Sequence, residues 1–152
     1  MQPWTAWSQD SREKAVSLVK ESVSLSKAGN LDKAEELVRE ALKADPNNAE
    51  ACDQLGKVLL RKGLNDQAAD AFNAALKINP RLNSSKTGLG VALFRKGDLN
   101  GAETALKEAL RNNPYPSQTH YALGLVYEKQ DQYDKALFEF KEGIRTFKSE
   151  KK

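Results

Sequence analysis

The sequence predicts an all-α chain, an α-α superhelix built from four antiparallel helical hairpins. Three observations carry that prediction. Pro46, Pro80 and Pro114 are spaced 34 residues apart. Gly29, Gly63 and Gly97 keep the same spacing, and so do Gly56, Gly90 and Gly124. Ala34, Ala68, Ala102 and Ala136 extend it along the whole chain, while Ala41, Ala75 and Ala109 follow with Gly143 in the fourth slot. No insertion breaks the register, so the units are 15–48, 49–82, 83–116 and 117–150.

Each phase has a physical role. In the second unit, Leu55, Val58, Leu59 and Lys62 give the helical spacing of one segment, and Ala68, Phe72, Ala75 and Leu76 give that of the next. Gly63 stands where the first helix ends, in a left-handed cap that costs glycine least. Asn65 and Asp66 are expected to cap the second helix, and Pro80 to stop it. Gly56 and Ala68 are small where the paired helices approach, and Ala75 where the second helix meets the following unit. The expected helices run over 11–28, 31–44, 48–62, 65–78, 83–96, 99–112, 117–130 and 133–148. Connections of a few residues make neighbours antiparallel. Stacked with a constant small rotation, the hairpins curve, and the first helix of each lines the concave wall.

The repeating unit resembles the tetratricopeptide repeat, whose pattern is W-x2-L-G-x2-Y, then A-x3-F, then P. The second unit reads Cys52-x2-Leu55-Gly56-x2-Leu59, Ala68-x3-Phe72, Pro80. The third reads Lys86-x2-Leu89-Gly90-x2-Leu93, Ala102-x3-Leu106, Pro114. The fourth reads His120-x2-Leu123-Gly124-x2-Tyr127, Ala136-x3-Phe140. The first is the most divergent, with Leu18-x2-Glu21-Ser22-x2-Leu25, Ala34-x3-Val38 and Pro46. The resemblance implies a right-handed solenoid and a protein–protein interaction scaffold, with no enzyme activity and no cofactor. It divides the chain into an N-terminal extension (1–14), one repeat domain (15–150) and a basic tail (151–152).

Composition agrees with that class. The chain has 152 residues, 30% of them charged, yet its net charge is only +3 and dispersed, which does not suit a nucleic-acid partner. A lone Cys52 demands no oxidising compartment. No apolar run is long enough for membrane insertion. A cytoplasmic location is the expectation. One histidine and one cysteine assemble neither a metal site nor a Cys–His catalytic pair. Cys52 and His120 share one phase, facing the partner helix of their hairpins, and both read as packing residues. Ser-x-x-Lys at Ser11–Lys14, Ser17–Lys20 and Ser24–Lys27 lacks the companion motifs of a penicillin-binding site.

The resemblance places a peptide-binding groove on the first helix of each unit. Its candidate residues are Lys57, Leu60, Arg61, Val91, Phe94, Arg95, Tyr121, Leu125 and Lys129. Val91, Phe94, Tyr121 and Leu125 form an apolar centre suited to anchoring a peptide side chain. Lys27, Arg61, Arg95 and Lys129 form a basic ladder. It reads either as a grip on carboxylates or as cations complementing helix C-termini, the favoured reading. The carboxylate clamp of chaperone-binding relatives is not matched. Its positions hold Val19, Val23, Gln54, Ser84 and Gly88 or, one unit on, Asp53, Lys57, Gly88, Gln118 and Ala122. The asparagine ladder of sugar-transferring relatives is replaced by Lys20, Gln54, Gly88 and Ala122.

The ends differ from the middle. Leu137 and Phe138 stand where the first unit has Glu35 and Glu36, and Ile144 and Phe147 extend that apolar surface. These four residues are expected to form an oligomer or partner face, met by a second copy of the chain or by a further C-terminal helix. Trp4 and Trp7 precede the Asp10–Glu13 spacing, which suits a capping box starting the first helix. They are expected to fold back as a cap.

Overall fold

The structure, a computed structural model, describes the backbone of residues 3–151 and the side chains of residues 9–151. Among the described residues there are eight helices and no strand. They are α1 (Pro3–Lys27), α2 (Leu31–Ala44), α3 (Ala49–Arg61), α4 (Asn65–Ile78), α5 (Asn83–Lys96), α6 (Leu99–Leu110), α7 (Ser117–Lys129) and α8 (Tyr133–Glu150). The all-α class expected from the sequence is therefore what the chain adopts. Two compact units divide it, Met1–Arg81 and Leu82–Lys152. In the first, α1 pairs with α2 and α3 with α4, while α3 also lies on both α1 and α2. In the second, α5 pairs with α6 and α7 with α8, while α7 lies on both α5 and α6.

The local chemistry explains the boundaries. Asn30, Asn48 and Asp98 precede α2, α3 and α6, and each side chain accepts a bond from a backbone N–H of the first turn. Asp45 and Asn79 are extended residues ahead of Pro46 and Pro80, where proline disfavours helical geometry in its predecessor. Gly63 ends the α3 turn at φ +79. In the fourth unit that phase belongs to Asp131, which adopts φ +60 and accepts a hydrogen bond from the Tyr133 hydroxyl at 2.7 Å.

Two expectations need correction. Asn65 and Asp66 do not cap α4; the N-cap is Leu64, without a side-chain bond, and both residues lie in the first turn. The first helix does not start at Asp10. It starts at Pro3, whose fixed φ suits the first helical position and whose missing N–H would have been unpaired there anyway. Asp10 is exposed within that helix, and Gln9 Nε2 donates to Glu13 Oε1 one turn on at 3.3 Å. Trp4 and Trp7 thus lie within α1 rather than before it, and their side chains fall outside the described residues.

The glycine at the centre of each hairpin is a matter of space. A Cβ on Gly56 would stand 2.6 Å from the Phe72 ring, one on Gly90 2.5 Å from Leu106, and one on Gly124 2.5 Å from Phe140. The divergent first unit solves the same contact differently. Ser22 takes the glycine slot, and the smaller Val38 takes the aromatic one. The buried Ser22 hydroxyl donates to the Ala34 carbonyl at 2.8 Å and accepts from Gln54 Nε2 at 3.5 Å. Cys52 is buried, and that burial pushes its thiol pKa up, with the nearby Asp53 adding to it.

Polar bonds fix α3 on the hairpin before it. Lys62 Nζ reaches Asp32 and Glu35 on α2, both at 2.7 Å, and these bonds hold the two carboxyls below their ordinary range. Arg61 donates to both the carbonyl and the hydroxyl of Ser26, in the last turn of α1.

Candidate functional site

The candidate groove residues fall in both units. Lys57, Leu60 and Arg61 lie on α3 of the first. Lys57 is exposed and pairs with Asp53 at 2.6 Å within its own helix. Arg61, through Ser26, satisfies a carbonyl at the C-terminal end of α1, so this rung of the basic ladder has a structural use.

The second unit brings several of the others together. A groove of about 740 Å³ is lined by Thr87, Val91, Phe94 and Arg95 from α5, and by Ser117, Gln118, Tyr121, Ala122 and Leu125 from α7. Spacings of three and four residues put Val91 with Phe94, and Tyr121 with Leu125, on one face of each helix. The third wall comes from α8, through Phe140, Gly143, Ile144, Phe147 and Lys148. The Phe140 ring lies tilted at 45° to that of Tyr121, with centroids 5.7 Å apart. Tyr121 and Ile144 are each 59% exposed. The charged residues on the lining, Arg95 and Lys148, are both cationic. Lys129 stands apart. It lines a second, more polar depression with Glu128, Asp131 and Tyr133, which shares Phe94, Arg95 and Leu125 with the apolar groove.

The surrounding bonds hold the walls in place. The hydroxyls of Thr87 and Thr119 meet at 2.8 Å and tie α5 to α7. His120 Nδ1 and Glu139 Oε2 lie 2.7 Å apart, largely buried between α7 and α8. Glu150 caps α7 from the end of α8, accepting from the Ser117 N–H at 2.9 Å and from its hydroxyl at 2.7 Å. A carboxylate there also complements the helix dipole.

The four apolar residues expected to form one surface on the last helix divide instead. Ile144 and Phe147 belong to the groove. Phe138 is 60% exposed and outside it, at the phase where Glu36, Asp70 and Thr104 are exposed. Leu137 is exposed too, at the phase of Glu35 and Glu103. Assigning the groove to first helices alone missed the α8 wall. Its signal was available: Ile144 shares a phase with Leu110, the α6 residue packed beneath α7. Among the described residues no cluster of three metal-ligating side chains occurs, and no helix is long and apolar enough to cross a membrane.

Residues 24–146 match the family model described as the cilia and flagella-associated protein 70 middle TPR-like domain. The chain belongs to this tetratricopeptide-repeat family. Solved structures agree with the assignment. A thermophilic TPR protein of Thermus thermophilus is 30% identical, with a TM-score of 0.79 over 87% of this chain and 74% of that one. MamA from Desulfovibrio magneticus RS-1 is 22% identical, with a TM-score of 0.76 over 89% of this chain and 76% of that one. The first TPR domain of Spaghetti (RPAP3), bound to the HSP90 peptide SRMEEVD, is 20% identical, with a TM-score of 0.75 over 79% of this chain and 95% of that one. At these last two identities the likeness is one of fold. No curated protein sequence matches the chain. In the second unit the TPR hairpins carry an apolar depression between α5 and α7, with a further wall from α8.

Proposed function

We propose that the chain is a protein-interaction scaffold whose second unit holds a partner segment in the apolar groove centred on Phe94 and Tyr121. The observation that carries this is exposure. Tyr121 and Ile144 present large apolar surfaces to solvent, on walls that Thr87–Thr119, His120–Glu139 and Glu150–Ser117 hold rigid. A preformed apolar depression with a polar rim is what a peptide anchor needs, because little ordering cost remains at binding. The peptide-bound RPAP3 structure supports the class of function, although the clamp residues of chaperone-binding relatives have no counterparts in this sequence.

The test is affinity capture with the wild-type chain and with a Phe94→Ala/Tyr121→Ala variant, matched for helicity by circular dichroism. Loss of the captured partner with helicity intact is expected; equal capture by both refutes the site. A second reading, self-association through α8, is favoured by the exposure of Leu137 and Phe138. It predicts a concentration-dependent mass in sedimentation that Phe138→Ala abolishes.

A further inference from the structure

The groove has a counterpart inside the same unit, and that counterpart is occupied. In each unit the first helix of the second hairpin rests on the hairpin before it: α3 on α1 and α2, α7 on α5 and α6. On the α5–α6 hairpin the seat includes Val91 and Leu110, which are half-buried against the cluster containing Leu123, Val126 and Tyr127 of α7. Asn113 joins it through a bond to Thr119 at 3.3 Å. The α7–α8 hairpin repeats this seat phase for phase, with Leu125 for Val91, Ile144 for Leu110 and Phe147 for Asn113. Here Ile144 is 59% and Phe147 50% exposed. The seat is built and more apolar than its occupied equivalent.

Two further features say what fits it. In the occupied seats an acid on the second helix receives polar groups from the seated helix. Glu35 accepts from Lys62, and Glu103 accepts from the Tyr127 hydroxyl and from Gln130 Nε2, each at 3.2 Å. The corresponding residue of the last hairpin is Leu137. An occupant therefore carries an apolar residue where the chain's own helices carry lysine or glutamine. The charges around the seat are also one-sided. Arg95 and Lys148 line it. Of the acids on this hairpin, Glu139 meets His120, Glu142 meets Arg145 and Glu150 meets Ser117, while Glu128 and Asp131 line the adjoining depression that shares Arg95. A second copy of the chain would bring its own lysine-rich helix end to this cationic rim.

We infer that the α7–α8 seat docks an amphipathic helix of a partner protein, with an apolar stripe for Tyr121, Leu125, Ile144 and Phe147 and acidic residues facing Arg95 and Lys148. This rests on the groove reading above and names the occupant's shape and charge. The contacts are helix-in-groove, read through anchors at helical spacing rather than through an extended backbone.

The probe is a synthetic peptide of residues 117–132, which already carries the stripe that seats α7. It bears Gln118→Glu, His120→Glu, Lys129→Glu and Gln130→Leu. A second version places lysine at the three charged positions, and a third adds Leu123→Pro to the acidic peptide. Binding to the full chain is followed by fluorescence anisotropy, and helicity by circular dichroism. The acidic peptide is expected to bind saturably with a gain of helix, and more weakly as salt is raised. The basic version should bind at least tenfold more weakly, and the proline version not at all in the same range. Ile144→Glu and Phe147→Asp chains should each lose at least tenfold, while Phe138→Ala loses nothing. Equal binding of the basic peptide overturns the charge assignment. Equal binding of the proline version overturns the helix and leaves an extended segment in the groove. No binding of any peptide overturns the inference, with the Phe94→Ala/Tyr121→Ala capture then deciding the broader reading alone. A dimer of the free chain that Ile144→Glu dissociates assigns the seat to a second copy and overturns it as well.

Discussion

Replacing Gly56 with alanine tests the packing rule on which all the hairpins depend. The added Cβ would stand 2.6, 2.8 and 2.8 Å from three atoms of the Phe72 ring. Carbon atoms pack at about 3.5 to 4.0 Å, so the ring must retreat by roughly 1 Å. Phe72 is fully buried, so the ring can move only by displacing its neighbours. Overpacking of this kind costs about 1 to 3 kcal/mol, and three simultaneous contacts place it near the upper end. Alanine returns about 1 kcal/mol in helix propensity. The net expectation is a loss of about 2 kcal/mol, or roughly 4 to 8 °C in Tm at this chain length. Urea and thermal denaturation followed by circular dichroism measure it. The first unit supplies a rescue. Gly56→Ser/Phe72→Val copies the Ser22 and Val38 pair, and should be more stable than the sum of its single variants by about 1 kcal/mol or more. A Gly56→Ala chain as stable as the wild type, or an additive cycle, refutes the reasoning.

Three other perturbations follow from named contacts. Asp131→Gly should stabilise by about 0.5 to 1 kcal/mol, since the left-handed strain of an L-residue exceeds the entropic cost of glycine; a rise in urea midpoint checks it. Arg61→Met removes the donor to Ser26 and should cost about 1 to 3 kcal/mol, with no effect on peptide binding by the second unit. Glu103 is held below its ordinary value by Lys107 first, with Gln130 and Tyr127 adding to it against the opposing effect of burial. A depressed folded pKa contributes stability above the ordinary value near 4.5 that is lost as pH falls through the folded one. Glu103→Gln should therefore be less stable than wild type at neutral pH, with the gap closing in urea titrations as pH falls below the ordinary carboxylate value.

The repeat was legible because each phase is enforced by a separate physical demand. The left-handed turn selects Gly63, the close approach selects Gly56 and Gly124, and the helix stop selects Pro80. Where a different residue meets the same demand, as Asp131 and Ser22 do, periodicity alone gives the position but not the solution. The start of α1 was not legible from Asp10 and Glu13. A capping-box spacing inside a helix-favouring stretch is indistinguishable from a solvent-facing acid pair, and Pro3 provided the earlier boundary. The α5 and α7 walls of the groove followed from the first-helix positions. The α8 wall did not, because the exposure of Ile144 and Phe147 beside α7 is a property of packing that the repeat phases alone do not state.

The most direct measurement is site-specific photo-crosslinking, with a benzophenone side chain placed at position 121 in the groove or at position 138 on the exposed face beside it. A partner adduct is expected from position 121 and none from 138; an adduct from 138 alone, or equally from both, would move the partner off the groove.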